Sequence, residues 1–371
     1  MSSTFVSPHT RCGRCTVCEL CILARDWEHH VFLFERVFRW VLPAWGVETG
    51  KKNIPDLTES FRRHVHQGHT PMIQERCAQR GRDLTNWVVK LHKYPVAHGG
   101  FSDVWKCTLR CKQRPPRRVA VKAIRPIFAN DEEYQAKRKA IERELKVWVG
   151  LKHQNVLPLY GITDGFGPFL AFVCPWADNG TLSEYLEKFE SQLDLKKRIT
   201  LLGDIAAGLQ HLHSRGIVHG DLSSSNILIT KNGKACLSDF GLSTLLEVSD
   251  TAISYPGNIR WAAPELLKGN TASTEGSLAS QLSSTQADIY SFGSIMLQIL
   301  SGKLPFHGVQ RVAEIVIMMA RGYRPPREPL WDGQVIPDLL WEFVQACWAS
   351  PAKRPLSEDI VHFIGCQLSR L

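Results

Sequence analysis

Val218-His219-Gly220-Asp221-Leu222-Ser223-Ser224-Ser225-Asn226-Ile227-Leu228, with Ser238-Asp239-Phe240-Gly241 following ten residues on, is the stretch on which the fold of this 371-residue chain turns. Two carboxylates and a carboxamide, Asp221, Asn226 and Asp239, stand in it at successive spacings of five and thirteen residues. Oxygen donors of this kind suit a hard cation such as Mg2+. Further signatures come after it in a set order: Ala263-Pro264-Glu265, then Asp288-Ile289-Tyr290-Ser291-Phe292-Gly293, then Cys347-Trp348 leading to Arg354-Pro355. Each alone is commonplace, but chance does not deliver the whole ordered set.

In that order and at that spacing the motifs resemble the eukaryotic protein kinase family. The resemblance runs from about Tyr94 to the C-terminus, about three-quarters of the chain. It implies an α+β, two-lobed fold, with a small β-rich N-lobe carrying one helix over about residues 94–174 and a larger helical C-lobe over about 178–371. It also implies an enzyme that uses ATP and Mg2+, with Asp221 as the carboxylate that meets a protein hydroxyl and Asn226 and Asp239 as the metal oxygens. Glu265 would pair with Arg354 and Asp288 would brace the catalytic loop, both as scaffold. Trp176 after Val173-Cys174-Pro175, the Arg260-Trp261 pair and the Cys347-Trp348…Arg354-Pro355 ending are most similar to tyrosine-kinase-like serine/threonine kinases. By that similarity Cys174 is the gatekeeper beside the adenine, and the Pro175 carbonyl and Ala177 N–H are the hinge groups. Ala97, Gly99, Gly100, Val104, Ala120 and Leu228 complete the nucleotide-contacting set that the resemblance implies.

Upstream, the residues carry a reading of their own. Tyr94-Pro-Val-Ala-His-Gly-Gly-Phe-Ser-Asp-Val-Trp105 suggests two strands joined by a glycine turn, where backbone N–H groups can approach phosphates closely. An ordinary β-hairpin reads the same way. In Val119-Ala120-Val121-Lys122, strand alternation puts Ala120 and Lys122 opposite the two valines. The valines then face a core, Ala120 leaves room for a flat base and Lys122 aims a cation at phosphates. Glu144, twenty-two residues on in the helical run Glu132–Leu151, is expected to pair with Lys122 and orient it, although a solvated helix face would look no different. Short β-rich runs at 94–97, 103–109, 118–124 and 169–173 surround that helix. Helical spacing then dominates, in Leu202, Ile205, Leu209 and Leu212 and in the runs 287–300, 313–319, 339–347 and 358–368.

Several positions depart from the family pattern. Ala97 and Ser102 replace the outer glycines of the phosphate loop, leaving Gly99. Gly220 takes the place of the arginine that clasps a phosphorylated activation loop, so control by phosphate at Ser249, Thr251, Ser254 or Tyr255 is not expected. Ser223 stands where serine/threonine kinases carry a lysine over the transferred phosphate, Ser225 where tyrosine kinases carry an arginine, and Asn258 where a Thr or Ser touches the catalytic Asp. One missing cation would slow transfer by about 10²–10³. Ser223→Lys is accordingly expected to raise the rate. Retention of Lys122, Glu144, Asp221, Asn226 and Asp239 favours a working or weakened serine/threonine kinase acting on proteins. The alternative is an ATP-binding scaffold that presents partner surfaces.

Composition excludes other classes. With 44% hydrophobic residues the chain can bury a large core, which argues against disorder. The net charge of +9 is divided between residues 1–93, with 14 basic against 9 acidic side chains, and the rest, with 31 against 27. No run interleaves bases with aromatics, so nucleic acid is not an expected partner. The apolar stretch 31–45 carries Glu35, Arg36, Arg39 and Pro43, which argues against a membrane span. Without a recognisable secretory signal, the eleven cysteines are expected to be reduced thiols of the cytoplasm or nucleus. Residues 1–93 read as a mostly helical or loose extension, and 269–286 as a surface insertion. Cys12, Cys15, Cys18 and Cys21 invite a metal reading, but on a helix each three-residue step turns about 60° and fans the thiols apart. Free thiols are the preferred reading there.

Overall fold

The computed structural model describes residues 82–99, 102–111, 114–125, 131–240, 258–267 and 284–371. All of them belong to the second of the two units into which the chain divides, Pro71–Leu371. The cysteine run at 12–21, the apolar stretch 31–45, Gly100, the four candidate phosphorylation sites and nearly all of the 269–286 segment lie outside the described residues.

β-Branched and aromatic residues at period two build the first layer. Strand β1 is Val88–Lys90, β2 Ala97–His98, β3 Ser102–Cys111 and β4 Arg114–Ile124. After helix α1, Asp131–Val149, come β5, Gly161–Thr163, and β6, Ala171–Pro175. These six form one sheet in the order β1-β3-β4-β6-β5, with β2 also paired to β3. Alternation sends Val119, Val121 and Ala123 into a small core on one face, with Cys107, Leu109, Ala171, Val173 and Leu84. Ala120 and Lys122 project from the other face, toward α1. There Ile124, Phe172 and Cys174 join Ile141, Leu145 and Trp148 of α1 in the main core.

The folded region begins ahead of the boundary expected at Tyr94. Asp83 bridges Ile162 in parallel, the Leu84 N–H bonds the Ile162 carbonyl at 2.8 Å, and the Ile162 N–H bonds the Arg82 carbonyl at 2.8 Å. The chain then turns, the Trp87 N–H reaching the Leu84 carbonyl at 2.9 Å, and Val88–Lys90 pairs with β3. Residues 82–90 therefore cross from the β5 edge of the sheet to its opposite edge, over the apolar face that Leu84 helps to fill. Gly161 permits this approach, since a Cβ there would lie 2.0 Å from the Arg82 carbonyl oxygen. Leu84, Trp87 and Val88 are too few and too broken by polar residues to show a strand period.

The second layer is helical. Helix α2, Leu182–Phe189, starts at a capping box in which Thr181 and Glu184 satisfy each other's backbone N–H groups. Helix α3, Leu195–Ser214, leads to the catalytic stretch, which runs into the hairpin of β7, Ile227–Ile229, and β8, Ala235–Leu237. Helix α4, Thr285–Ser301, is buried from Ala287 to Ser301 and is the post on which the C-lobe is packed. Helix α5, Val312–Ala320, lies by the turn at Pro264–Leu267, helix α6, Asp338–Cys347, packs on α4, and helix α7, Ser357–Leu368, packs on α3. Among the described residues no helix is long and apolar enough to cross a membrane.

Candidate active site

Asp288, in the first turn of the buried α4, holds the catalytic stretch from beneath. Its Oδ2 accepts the His219 N–H at 2.8 Å and lies 2.8 Å from His213 Nε2, while Oδ1 accepts the Gly220 N–H at 2.9 Å. The bracing role expected of Asp288 is thus visible as three bonds. Gly220 has φ of 79°, a left-handed conformation that glycine adopts without steric cost. Glu265 and Arg354 make the expected pair, bidentate at 2.5 and 2.9 Å.

Asp221 emerges next, with its carboxylate ringed by amides. Asn226 Nδ2 donates to the Asp221 backbone carbonyl at 2.8 Å and to Oδ2 at 2.9 Å. Asn258 Nδ2 lies 2.9 Å from Oδ1 and 3.0 Å from Oδ2. Burial pushes the Asp221 pKa up, and the Asn258 and Asn226 hydrogen bonds and the nearby His219 pull against it. Asn258, expected as a departure from the residue that touches the catalytic Asp, does touch it.

Across the cleft, Lys122 Nζ lies 2.6 Å from Asp239 Oδ1. This corrects the expected Lys122–Glu144 pair: no ion pair joins those two side chains, and Glu144 Oε2 is buried without a hydrogen-bond partner. Burial raises the Glu144 pKa to about 8, against the pull of Lys122 and with a further push from Asp239, so a charge on this carboxyl is disfavoured where it lies. Asp239 itself has φ of 61°, unusual for a residue with a Cβ. The next residue, Phe240, is buried between the rings of Trp148, 5.4 Å away, and His219, 6.4 Å away.

Most of the positions expected to meet a nucleotide lie on neighbouring strands of the first sheet. Ala97 pairs with Val104, Val104 with Lys122, Ala120 with Cys174, and Val119 with Pro175. Cys174 is buried, and burial pushes its thiol pKa far above the ordinary range. Ala177 follows β6, with its carbonyl taken by the Gly180 N–H at 3.2 Å. Leu228 sits on β7 across from Cys236, bridged to Thr181. Gly99 closes the β2–β3 turn, its N–H on the Ser102 carbonyl at 2.8 Å and its own carbonyl bonded by Arg125.

The donor set fits a magnesium nucleotide. With its NH2 committed to Asp221, Asn226 has its carbonyl oxygen left for a cation, and Asp239 adds a carboxylate. No cluster of three or more His, Cys, Asp or Glu able to hold a metal occurs among the described residues. Two protein oxygens nevertheless suit Mg2+, which takes its other ligands from phosphate and water. A bound nucleotide would supply the phosphoryl group, and the chain supplies Lys122 as its cation and Asp221 as an acceptor for a hydroxyl proton.

Ser223 is fully buried, its Oγ 2.9 Å from Ser225 Oγ, so its side chain does not open on the cleft. Reading of the sequence missed this bond, and also missed His213 under the loop and the segment 82–90 over the sheet. No local pattern marks any of the three, because each acts across a long sequence separation or at a single side chain.

A family model described as protein tyrosine and serine/threonine kinase matches residues 91–364. Human ephrin type-A receptor 1 is 30% identical over 265 residues, 70% of this chain and 25% of that protein. The mouse serine/threonine-protein kinase TNNI3K is 29% identical over 271 residues, 72% of this chain and 30% of that one. The Arabidopsis thaliana serine/threonine/tyrosine-protein kinase HT1 is 29% identical over 248 residues, 66% and 59% of the two chains. The chain thus spans between about a quarter and three-fifths of these relatives. With a two-lobed fold, Asp221, Asn226 and Asp239 gathered on one cleft, and a family match over most of its length, the chain belongs to the protein tyrosine and serine/threonine kinases.

Proposed function

We propose that this chain is an ATP- and Mg2+-dependent protein kinase that passes the γ-phosphoryl group to a serine or threonine hydroxyl of a protein substrate, at a rate lowered by the missing loop cation. The observation that carries this reading is the Asp221 carboxylate, held by amides of Asn226 and Asn258 while Oδ1 accepts only one of these bonds. A carboxylate so held keeps a lone pair for a substrate hydroxyl. Relatives named as serine/threonine kinases support the acceptor class, and relatives named as tyrosine kinases make tyrosine the competing acceptor. The cytoplasm or nucleus is the proposed location, from the reduced cysteines.

Autophosphorylation with radiolabelled ATP-Mg2+, followed by phosphoamino-acid analysis, tests the proposal. Label on serine or threonine that disappears in Asp221→Ala supports it. A second reading, a nucleotide-binding scaffold, is favoured by the Lys122–Asp239 pair, which engages the phosphate cation and a metal oxygen with each other. Thermal stabilisation by ATP-Mg2+ without any transfer would select it.

A further inference from the structure

The serine triplet 223–225 covers both positions where a cation is expected, and all three of its hydroxyls are hydrogen-bonded. Ser223 Oγ lies 2.9 Å from Ser225 Oγ, and Ser225 Oγ donates to Asn258 Oδ1 at 3.0 Å. Ser224 Oγ lies 2.6 Å from Ser183 Oγ, which accepts from Gln298 Nε2 of α4 at 3.4 Å. Gln298 Oε1 accepts the Trp261 indole N–H at 3.0 Å, and the Trp261 backbone N–H bonds the Asn258 carbonyl at 3.0 Å. Joined through the backbone between Ser224 and Ser225, these bonds make a ring from the catalytic loop through α2 and α4 to Trp261 and back to Asn258.

We infer that Ser225 and Asn258 are a positioning pair that sets the Asp221 carboxylate for the incoming hydroxyl, with the ring holding Asn258 in place. This rests on the kinase reading above. The geometry gives the pair its direction: a carboxamide has one accepting and one donating end, and Ser225 takes the accepting end. The donating end is thereby turned to Asp221, where its NH2 reaches both oxygens. Rotation of the carboxylate about its Cβ–Cγ bond is then resisted by Asn258 at both oxygens and by Asn226 at Oδ2. Without the Ser225 hydroxyl the amide is free to turn its oxygen toward the carboxylate, which repels it. Ser223, wholly buried, fixes the Ser225 hydroxyl in turn. The pair carries no charge, so it aims the acceptor without supplying the stabilisation of a lysine or arginine at the phosphate. A slow enzyme with a well-placed acceptor is the expected result.

The test is a double-mutant cycle on the full chain, reading kcat, the KM for ATP and the ATP-Mg2+ thermal shift. Asn258→Ala should lower kcat by about tenfold or more while leaving the KM for ATP and the thermal shift within about twofold of wild type. Ser225→Ala should lower kcat by a smaller factor, and the double variant should be no slower than Asn258→Ala, because Ser225 acts only through Asn258. Asn258→Thr, which keeps a donor, should recover part of the loss, and the isosteric Asn258→Asp, which lacks one, should recover none. Multiplying effects of the two alanine variants would overturn the inference, as would full kcat in Asn258→Ala or a loss confined to KM. Absence of transfer in wild type, with the thermal shift present, would instead overturn the kinase reading itself and this inference with it.

Discussion

Lys122 reaches Asp239 at 2.6 Å and is thereby withheld from Glu144, whose buried carboxyl carries its pKa to about 8. Nucleotide binding that draws Asp239 onto Mg2+ would release Lys122, and Glu144 is the acidic partner within its electrostatic reach. In the structure the cation sits on Asp239, and Glu144 Oε2 is left without a partner.

The first prediction concerns pH. Glu144 is shifted up on folding, from 4.5 to about 8, so the native state holds a proton that the unfolded state has lost. Its contribution to stability is intact at low pH and is lost progressively as pH rises from about 4.5 through about 8. Glu144→Gln should remove that slope and leave the protein more stable than wild type near pH 8, measured by denaturant melts across the range. An unchanged slope would place the titration elsewhere. Calorimetry in buffers of differing ionisation enthalpy should also show ATP-Mg2+ binding releasing a proton in wild type and not in Glu144→Gln.

Nucleotide affinity should depend on both members of the bonded pair. Asp239→Asn and Lys122→Ala are each expected to reduce the ATP-Mg2+ thermal shift, the first by weakening the metal's oxygen set and the second by removing the phosphate cation. Shifts equal to wild type in both variants would remove the nucleotide site from this cleft.

Gly220 leads to a third expectation. With no arginine beside Asp221 to receive a phosphate, phosphatase treatment should leave the transfer rate unchanged within about twofold. A large loss that maps to Ser249, Thr251, Ser254 or Tyr255 would refute this. Because Gly220 adopts φ of 79°, Gly220→Arg should cost about 1 kcal/mol of stability, which a thermal melt can measure.

Ser223→Lys reverses the outcome expected from sequence. A lysine at this wholly buried position would displace the bond to Ser225 and place its chain in the packed loop. The variant should melt several degrees below wild type, by the scale of burying an unpaired cation, and should not transfer faster. A faster enzyme of unchanged stability would show that the side chain finds the cleft after all.

Most of the architecture was legible because it is periodic. Helices α1, α4, α5, α6 and α7 begin and end within a residue or two of the runs read from spacing, and β4 and α4 are where alternating or continuous apolar residues demand them. The chemistry-bearing residues were legible because their ordered spacing is rare. What stayed hidden depends on contacts rather than pattern. Glu144 carries no mark in the sequence of the burial that raises its pKa, and three consecutive serines look interchangeable until their hydroxyl contacts are seen. Helix α2 was passed over because eight residues scarcely show a period.

The segment 82–90 has a practical corollary for anyone who would isolate the catalytic unit. A fragment started at Tyr94, where the motifs begin, would leave both margins of the sheet with unpaired backbone groups and would strip Leu84 and Trp87 from the apolar face between them. Such a fragment would be prone to self-association, and low activity measured on it would report the missing segment 82–90 rather than the chemistry of Asp221. A fragment that keeps the sheet margins paired has to include residues 82–90.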